Sequence, residues 1–93
     1  MIRVVLKPGR LEARYHGDPI VCAGVSALVI SCVNFIKDKL QPNAKLDFND
    51  KGGYVRLEYA AQCPKTKLVI QLLAFGLEQI KEEYPKQIKI KKR

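Results

Sequence analysis

The chain has 93 residues, a length at which one hydrophobic core, and so a single domain over residues 1–93, is expected. Apolar residues at 47% and charged residues at 28% exclude a disordered, fibrous or collagen-like chain. Seventeen Lys and Arg against nine Asp and Glu leave a net charge of +8, which fits either a polyanionic partner such as a nucleic acid or a Lys/Glu-rich solvated surface.

Residues 2–6 (IRVVL) are aliphatic and β-branched and predict a strand. Pro8-Gly9 marks a turn. In residues 10–15, Leu11, Ala13 and Tyr15 alternate with Arg10, Glu12 and Arg14, the pattern of a half-buried strand completing a hairpin. Asp18-Pro19 is a helix start, because an aspartate can accept from the first free N–H groups and proline is preorganised at the first helical position. The helix is expected from Pro19 to about Leu40, apolar on nearly every side until Asn34 and so largely buried. Lys37 and Lys39 suit the negative end of its dipole. Gln41-Pro42-Asn43 ends it.

Residues 44–49 set Ala44, Leu46 and Phe48 against Lys45, Asp47 and Asn49, and residues 54–60 set Val55, Leu57 and Tyr59 against Arg56 and Glu58. Two strands joined by a turn at Asp50-Lys51-Gly52-Gly53 are expected. Pro64 opens a second helix, Lys65 to about Glu83. Leu68, Leu72, Phe75 and Gln79 mark one edge of its apolar stripe; Val69, Leu73, Gly76 and Ile80 mark the other. Tyr84-Pro85 stops it, and residues 87–91 (QIKIK) alternate as a last strand. The resulting order is β-β-α-β-β-α-β, an α+β domain with two helices packed in one layer on a mostly antiparallel sheet. Lys86–Arg93 carries five positive charges and no negative one. It reads as a solvated edge strand, where lysines discourage edge pairing, or as a basic arm for RNA.

Three cysteines, an odd number, cannot close into an intramolecular disulfide set, and MIRVVLKPGR has no apolar leader. A reducing, cytoplasmic setting is expected. The longest apolar stretch, Ile20 to Val33, is shorter than the roughly 20 residues a bilayer needs, so no membrane span is expected. Zinc-site spacing and the phosphate-binding glycine motifs are missing, so neither metal nor cofactor is expected.

Chemistry is concentrated between Tyr15 and Leu28. Cys22 falls in the first turn of the first helix, where free N–H groups and the dipole favour a negative sulfur. His16, the sole histidine, sits just before that helix, and a short Gly-containing link can fold it back over the helix start. A thiol with a base in hydrogen-bond reach is the minimum for acyl transfer, and free N–H groups at the same helix end can hold an oxyanion. The same residues also fit packing, since cysteine is among the most buried residue types. Cys32, deeper in the helix, reads as core. Cys63, just before Pro64, reads as structural. Both are expected to react slowly with alkylators.

The run Gly17-Asp18-Pro19-Ile20-Val21-Cys22-Ala23-Gly24-Val25-Ser26-Ala27-Leu28 resembles the G-x-D-I-V-C-A-A-V-S-A-L signature of the ribosomal-processing cysteine protease family, Prp. Gly76–Pro85 resembles that family's closing helix, which also ends in Tyr-Pro. The resemblance spans nearly the whole chain. It implies a cysteine endopeptidase that removes a short N-terminal extension from a bacterial large-subunit ribosomal protein, with Cys22 as nucleophile, His16 as base and Ser26 matching the signature serine. It also implies a homodimer. The chain departs from the pattern in two places. The family's G-H-A motif and longer loop are replaced by Tyr15-His16-Gly17 running directly into Asp18, and the acid three residues before the cysteine is Pro19 here. Asp18 then orients His16 or caps the helix, and Asp-Pro favours the cap. Two alternatives stand beside the peptidase: a non-enzymatic RNA- or ribosome-associated basic module, and an inactive relative with a shortened histidine loop.

Overall fold

The first turn is closed by Gly9, whose φ of +84° is a left-handed conformation that L side chains rarely adopt. A side chain there would also press on the Tyr59 carbonyl, 3.3 Å from the position of its Cβ. In this computed structural model, which describes residues 1–15, 17–49 and 53–93, Gly9 joins β1 (Ile2–Lys7) to β2 (Arg10–Arg14). There follow α1 (Pro19–Phe35), β3 (Lys45–Asn49), β4 (Tyr54–Glu58), α2 (Pro64–Glu83) and β5 (Ile88–Lys92). The strands form one sheet in the order β3-β4-β2-β1-β5. All neighbours are antiparallel except β1 and β5, which run parallel with Ile2 opposite Ile88. The expected order of elements and two-layer architecture are those observed. Of the turn expected at residues 50–53, residues 50–52 lie outside the described residues; Gly53 has a φ of +58°.

The alternation read along the strands sorts the two faces. Ile2, Val4, Leu6, Leu11, Ala13, Val55, Leu57 and Ile88 are buried on the helix side. Against them α1 sets Val21, Val25, Val29 and Val33, a ladder of four-residue steps that stacks one face of a helix. Valine is a poor helix former, so burial of this ladder, worth at most about 1.5–3 kcal/mol per side chain, is what holds the segment helical. From α2, Leu73 and Leu77 complete the core. The chain leaves α1 through a π-helical turn, Ile36–Leu40, closed by the Gln41 N–H on the Ile36 carbonyl at 2.6 Å. Lys37 stands where a cation was expected, its Nζ donating to the carbonyls of Ala44 at 2.7 Å and Pro42 at 3.2 Å.

Three expectations are corrected. First, α1 is not largely buried: Ala23, Ala27, Ser31 and Asn34 are exposed, and Ile20 is 74% exposed. Second, the stripe edge of α2 formed by Leu68, Leu72 and Phe75 lies outside the core, at 66%, 71% and 63% exposure. The reason is common to both. A sheet of five- and six-residue strands covers one face of each helix, and the apolar arc of each helix is wider than that face. Third, Phe48 is exposed: it lies on β3, an edge strand of the sheet, where Leu46 still packs against the core.

With its π turn, α1 is a helix of 22 residues, long and apolar enough to cross a membrane by length and composition. The count from the apolar stretch alone understated it. Its valine face is nevertheless the domain core. The basic C-terminus is an edge strand rather than a free arm, and Lys92 faces Glu78 at 3.6 Å.

Candidate active site

The start of α1 is built by Asp18. Its carboxylate accepts from the backbone N–H of Ile20 at 2.9 Å and of Val21 at 3.4 Å, and its carbonyl accepts from Cys22 N–H at 2.8 Å. Asp18 is therefore the cap, and Pro19 occupies the first helical position as expected. This arrangement overturns one part of the sequence reading. Pro19 has no N–H, Ile20 and Val21 donate to the Asp18 carboxylate, and Cys22 donates to the Asp18 carbonyl. The first turn keeps no free backbone donor for an oxyanion. The cap carboxylate also sits at the positive end of the dipole and offsets its field there.

Cys22 is half-buried and free of any disulfide. Side chains on a helix lean toward its N-terminus, so Cys22 and Ser26, one turn apart on the same face, both project toward the end of β2. There stands Tyr15, held by its backbone N–H on the Gly53 carbonyl at 2.7 Å. The approach is close: a Cβ on Gly53 would lie 3.0 Å from the Tyr15 carbonyl oxygen. Tyr15 packs its ring on the core beside Cys22. Its hydroxyl is buried near Ser26, yet makes no hydrogen bond of good geometry among the described residues. Most buried polar atoms are paired, and one left unpaired beside a thiol is a feature to be explained. Burial pushes the Tyr15 phenol up to about 12; Ser26 pulls it down in part, and the Cys22 sulfur adds a further upward push. Tyr15 is thus a neutral O–H donor at physiological pH.

The structure brings together Cys22, Asp18 and Ser26, and adds Tyr15, which alternation alone assigned to the core face of β2. The signal that singles it out is local. The residue before His16 is tyrosine, where the resembled motif has glycine. His16 itself lies outside the described residues, between the placed Tyr15 and Gly17.

The other two cysteines differ from each other. Cys32 is buried, and burial pushes its thiol up to about 12. Cys63 caps α2 and is partly exposed, and its thiol is lowered by the Thr66 hydroxyl and backbone N–H. Thr66 is fixed in turn by Gln41, whose Nε2 donates to its hydroxyl at 2.9 Å. The partly exposed, lowered Cys63 thiol runs against the expectation that it reacts slowly, and brief iodoacetamide treatment at neutral pH should label Cys63 well before Cys32, as read by peptide mass mapping.

Tyr15 and Cys32 also set an alkaline limit. Both start from lower ordinary values, 10.0 and 9.0, and both reach about 12 in the fold. The folded chain therefore holds these protons more tightly than the unfolded one. Their contribution to stability is fully present below about pH 9 and is lost as pH rises toward 12. Urea midpoints should fall across that window, and in a Cys32→Ala variant the fall should begin nearer pH 10.

A family model described as cysteine protease Prp matches residues 11–89 of the chain. The ribosomal processing cysteine protease Prp of Staphylococcus aureus (strain Mu50 / ATCC 700699) is 28% identical over 87 residues, covering 92% of this chain and 82% of that protein. The Prp of Bacillus subtilis (strain 168) is 30% identical, covering 88% of this chain and 78% of that protein. The fold superposes on a crystal structure of Prp from S. aureus in complex with a covalently linked product peptide, with a TM-score of 0.87, 25% identity and full coverage of both chains. A match across most of the chain, in sequence and in every element of the fold, places this chain in the cysteine protease Prp family.

Proposed function

We propose that this cysteine protease removes a short N-terminal extension from a large-subunit ribosomal protein, with Cys22 as nucleophile and His16 as base. The observation that carries this reading is the placement of Cys22 in the first turn of α1, in a fold shared end to end with a relative crystallised with a covalently linked product peptide. The Cys22 sulfur attacks the scissile carbonyl carbon while its proton passes to His16. The C–N bond then breaks as His16 returns that proton to the leaving amine, and water releases the acyl group from sulfur. Charge develops on the carbonyl oxygen during attack. Because the backbone donors of the first turn are committed to Asp18, the Tyr15 hydroxyl, with Ser26 beside it, is one donor the described residues offer to that oxygen once the substrate uncovers it. Asp18 acts as the helix cap through one carboxylate oxygen.

The test is mass-spectrometric cleavage of the extension peptide of that ribosomal protein from the same genome. A single defined cut by the parent chain supports the reading, and an intact peptide with folded enzyme overturns it. The setting in this reading is the cytoplasm, where free thiols persist.

The same reading includes a homodimer. Leu68, Leu72 and Phe75, at steps of four and three residues, make one exposed apolar stripe on α2. Contiguous exposed patches of this kind mark interaction surfaces, and two-fold pairing of one patch with its copy is the commonest way to cover one. Light scattering should give twice the chain mass for the parent. Leu72→Glu should give the monomer mass with an unchanged circular dichroism spectrum, since the Leu72 side chain points away from the core.

A further inference from the structure

The face of the sheet turned away from the helices carries charge in ordered rows. In the row nearest the active-site end, Tyr54, Arg14, Arg3 and Lys89 lie opposite one another on four successive strands. The next row holds Asp47, Arg56, Glu12, Val5 and Lys91. The acids of this face are spent within it: Asp47 pairs with Arg56 at 2.8 Å, and Glu58 with Arg10 at 3.1 Å. Arg10 also reaches Glu12 at 3.5 Å. Arg3, Arg14, Lys89 and Lys91 are exposed and have no acidic partner among the described residues. Arg14 is aimed by its guanidinium stacking 4.8 Å over the Tyr54 ring.

Such a row opposes the fold. Like charges directly opposite on neighbouring strands destabilise a sheet, and here three adjacent strands each present one. An external anion removes that repulsion. Strands about 4.8 Å apart space the cations evenly along a line, which suits a chain of phosphates rather than a single ion. Val5 is the aliphatic residue of these rows and is only half-buried, and the Tyr54 ring of the first row is covered by the Arg14 guanidinium. Protein interfaces are built on an apolar and aromatic centre, and membrane surfaces on apolar anchors; nucleic-acid interfaces are the ones that are polar and strongly positive throughout.

We propose that this open sheet face, through Arg3, Arg14, Lys89 and Lys91, docks the phosphate backbone of RNA. The row lies at the end of the sheet from which β2 runs into the catalytic segment, since Arg14 is followed directly by Tyr15. RNA held there leaves the helix side, and Cys22, open to a peptide. The ribosomal role of the relatives selects RNA over DNA as the polyanion.

The test is fluorescence anisotropy with a short labelled single-stranded RNA across a salt series. The parent should bind with steep salt dependence. The triple variant Arg3→Gln, Lys89→Gln, Lys91→Gln should bind about tenfold more weakly, with a log–log salt slope shallower by about 2, at roughly 0.7 for each phosphate no longer neutralised. A control triple variant on the helix layer, Lys39→Gln, Lys65→Gln, Lys67→Gln, removes the same charge and should bind like the parent. Equal weakening in both variants would reduce the effect to net charge and overturn the proposal. So would unchanged RNA binding in the sheet variant, or binding of a polyglutamate peptide as tight as that of RNA. Peptide cleavage measured on the same preparations stays at the parent rate in the sheet variant. Docking and peptidase activity thus fail separately.

Discussion

Replacing Cys22 with alanine is expected to abolish cleavage of the extension peptide while leaving the fold unchanged. The nucleophile is the one group whose loss no neighbour replaces, and the drop in kcat should be on the order of 10⁴ or more. Stability should hold, because Cys22 is only half-buried and alanine is the better helix former. His16→Ala tests the partner role and should cost about 10² to 10⁴ in rate, the range for loss of a positioned base. The pair of results is more informative than either alone. A dead Cys22→Ala with a fully active His16→Ala would move the base elsewhere in the chain. Residual activity in Cys22→Ala would remove the nucleophile assignment itself, and the partly exposed, lowered thiol of Cys63 would be the next to examine.

How far residues announce their roles depends on whether the interaction is local. The cap was legible because Asp18, Pro19 and the two N–H groups that Asp18 accepts lie within four residues. The valine ladder of α1 and the in-out alternation of the strands were legible for the same reason, as each is a period along the chain. Three features were not. The parallel pairing of β1 with β5 joins the two ends of the chain, and alternation tells which face a strand buries without naming its neighbour. The exposure of Leu68, Leu72 and Phe75 follows from the width of the sheet beneath α2, a quantity no helical stripe contains. The third is the state of the active-site donors. Reading Asp18 as a cap and the helix start as an oxyanion site were each reasonable alone. The structure shows them to be exclusive, since the cap consumes the same N–H groups that the oxyanion needed. The open-face charge row is an intermediate case. Arg3, Arg14 and Lys89 could each be assigned to the solvent side from alternation, but only the register aligns them.

The exclusivity at the helix start makes Tyr15 the residue on which the catalytic reading turns. Tyr15→Phe deletes one oxygen atom and preserves the ring that packs on the core. If that hydroxyl is the donor to the developing oxyanion, its removal should lower kcat by about 10²-fold or more, with a small change in KM, the signature of an interaction realised in the transition state. The effect on stability should have the opposite sign. A buried hydroxyl without a partner among the described residues costs folding about 1–3 kcal/mol, and phenylalanine removes that cost without opening a cavity. A gain of about 1 kcal/mol in a chain of 93 residues raises Tm by about 4–8 °C. A purely structural tyrosine would move stability and activity together or leave activity alone. A variant that is more stable and much slower separates the two, because the hydroxyl then costs the resting enzyme stability and acts when the substrate carbonyl arrives. Ser26→Ala serves as the comparison. Ser26 is the polar neighbour of the Tyr15 hydroxyl, and a smaller loss, about tenfold, is expected from it. Full activity in Tyr15→Phe would leave the oxyanion without a donor from the described first turn, and would pass that role to the segment around His16 and Gly17.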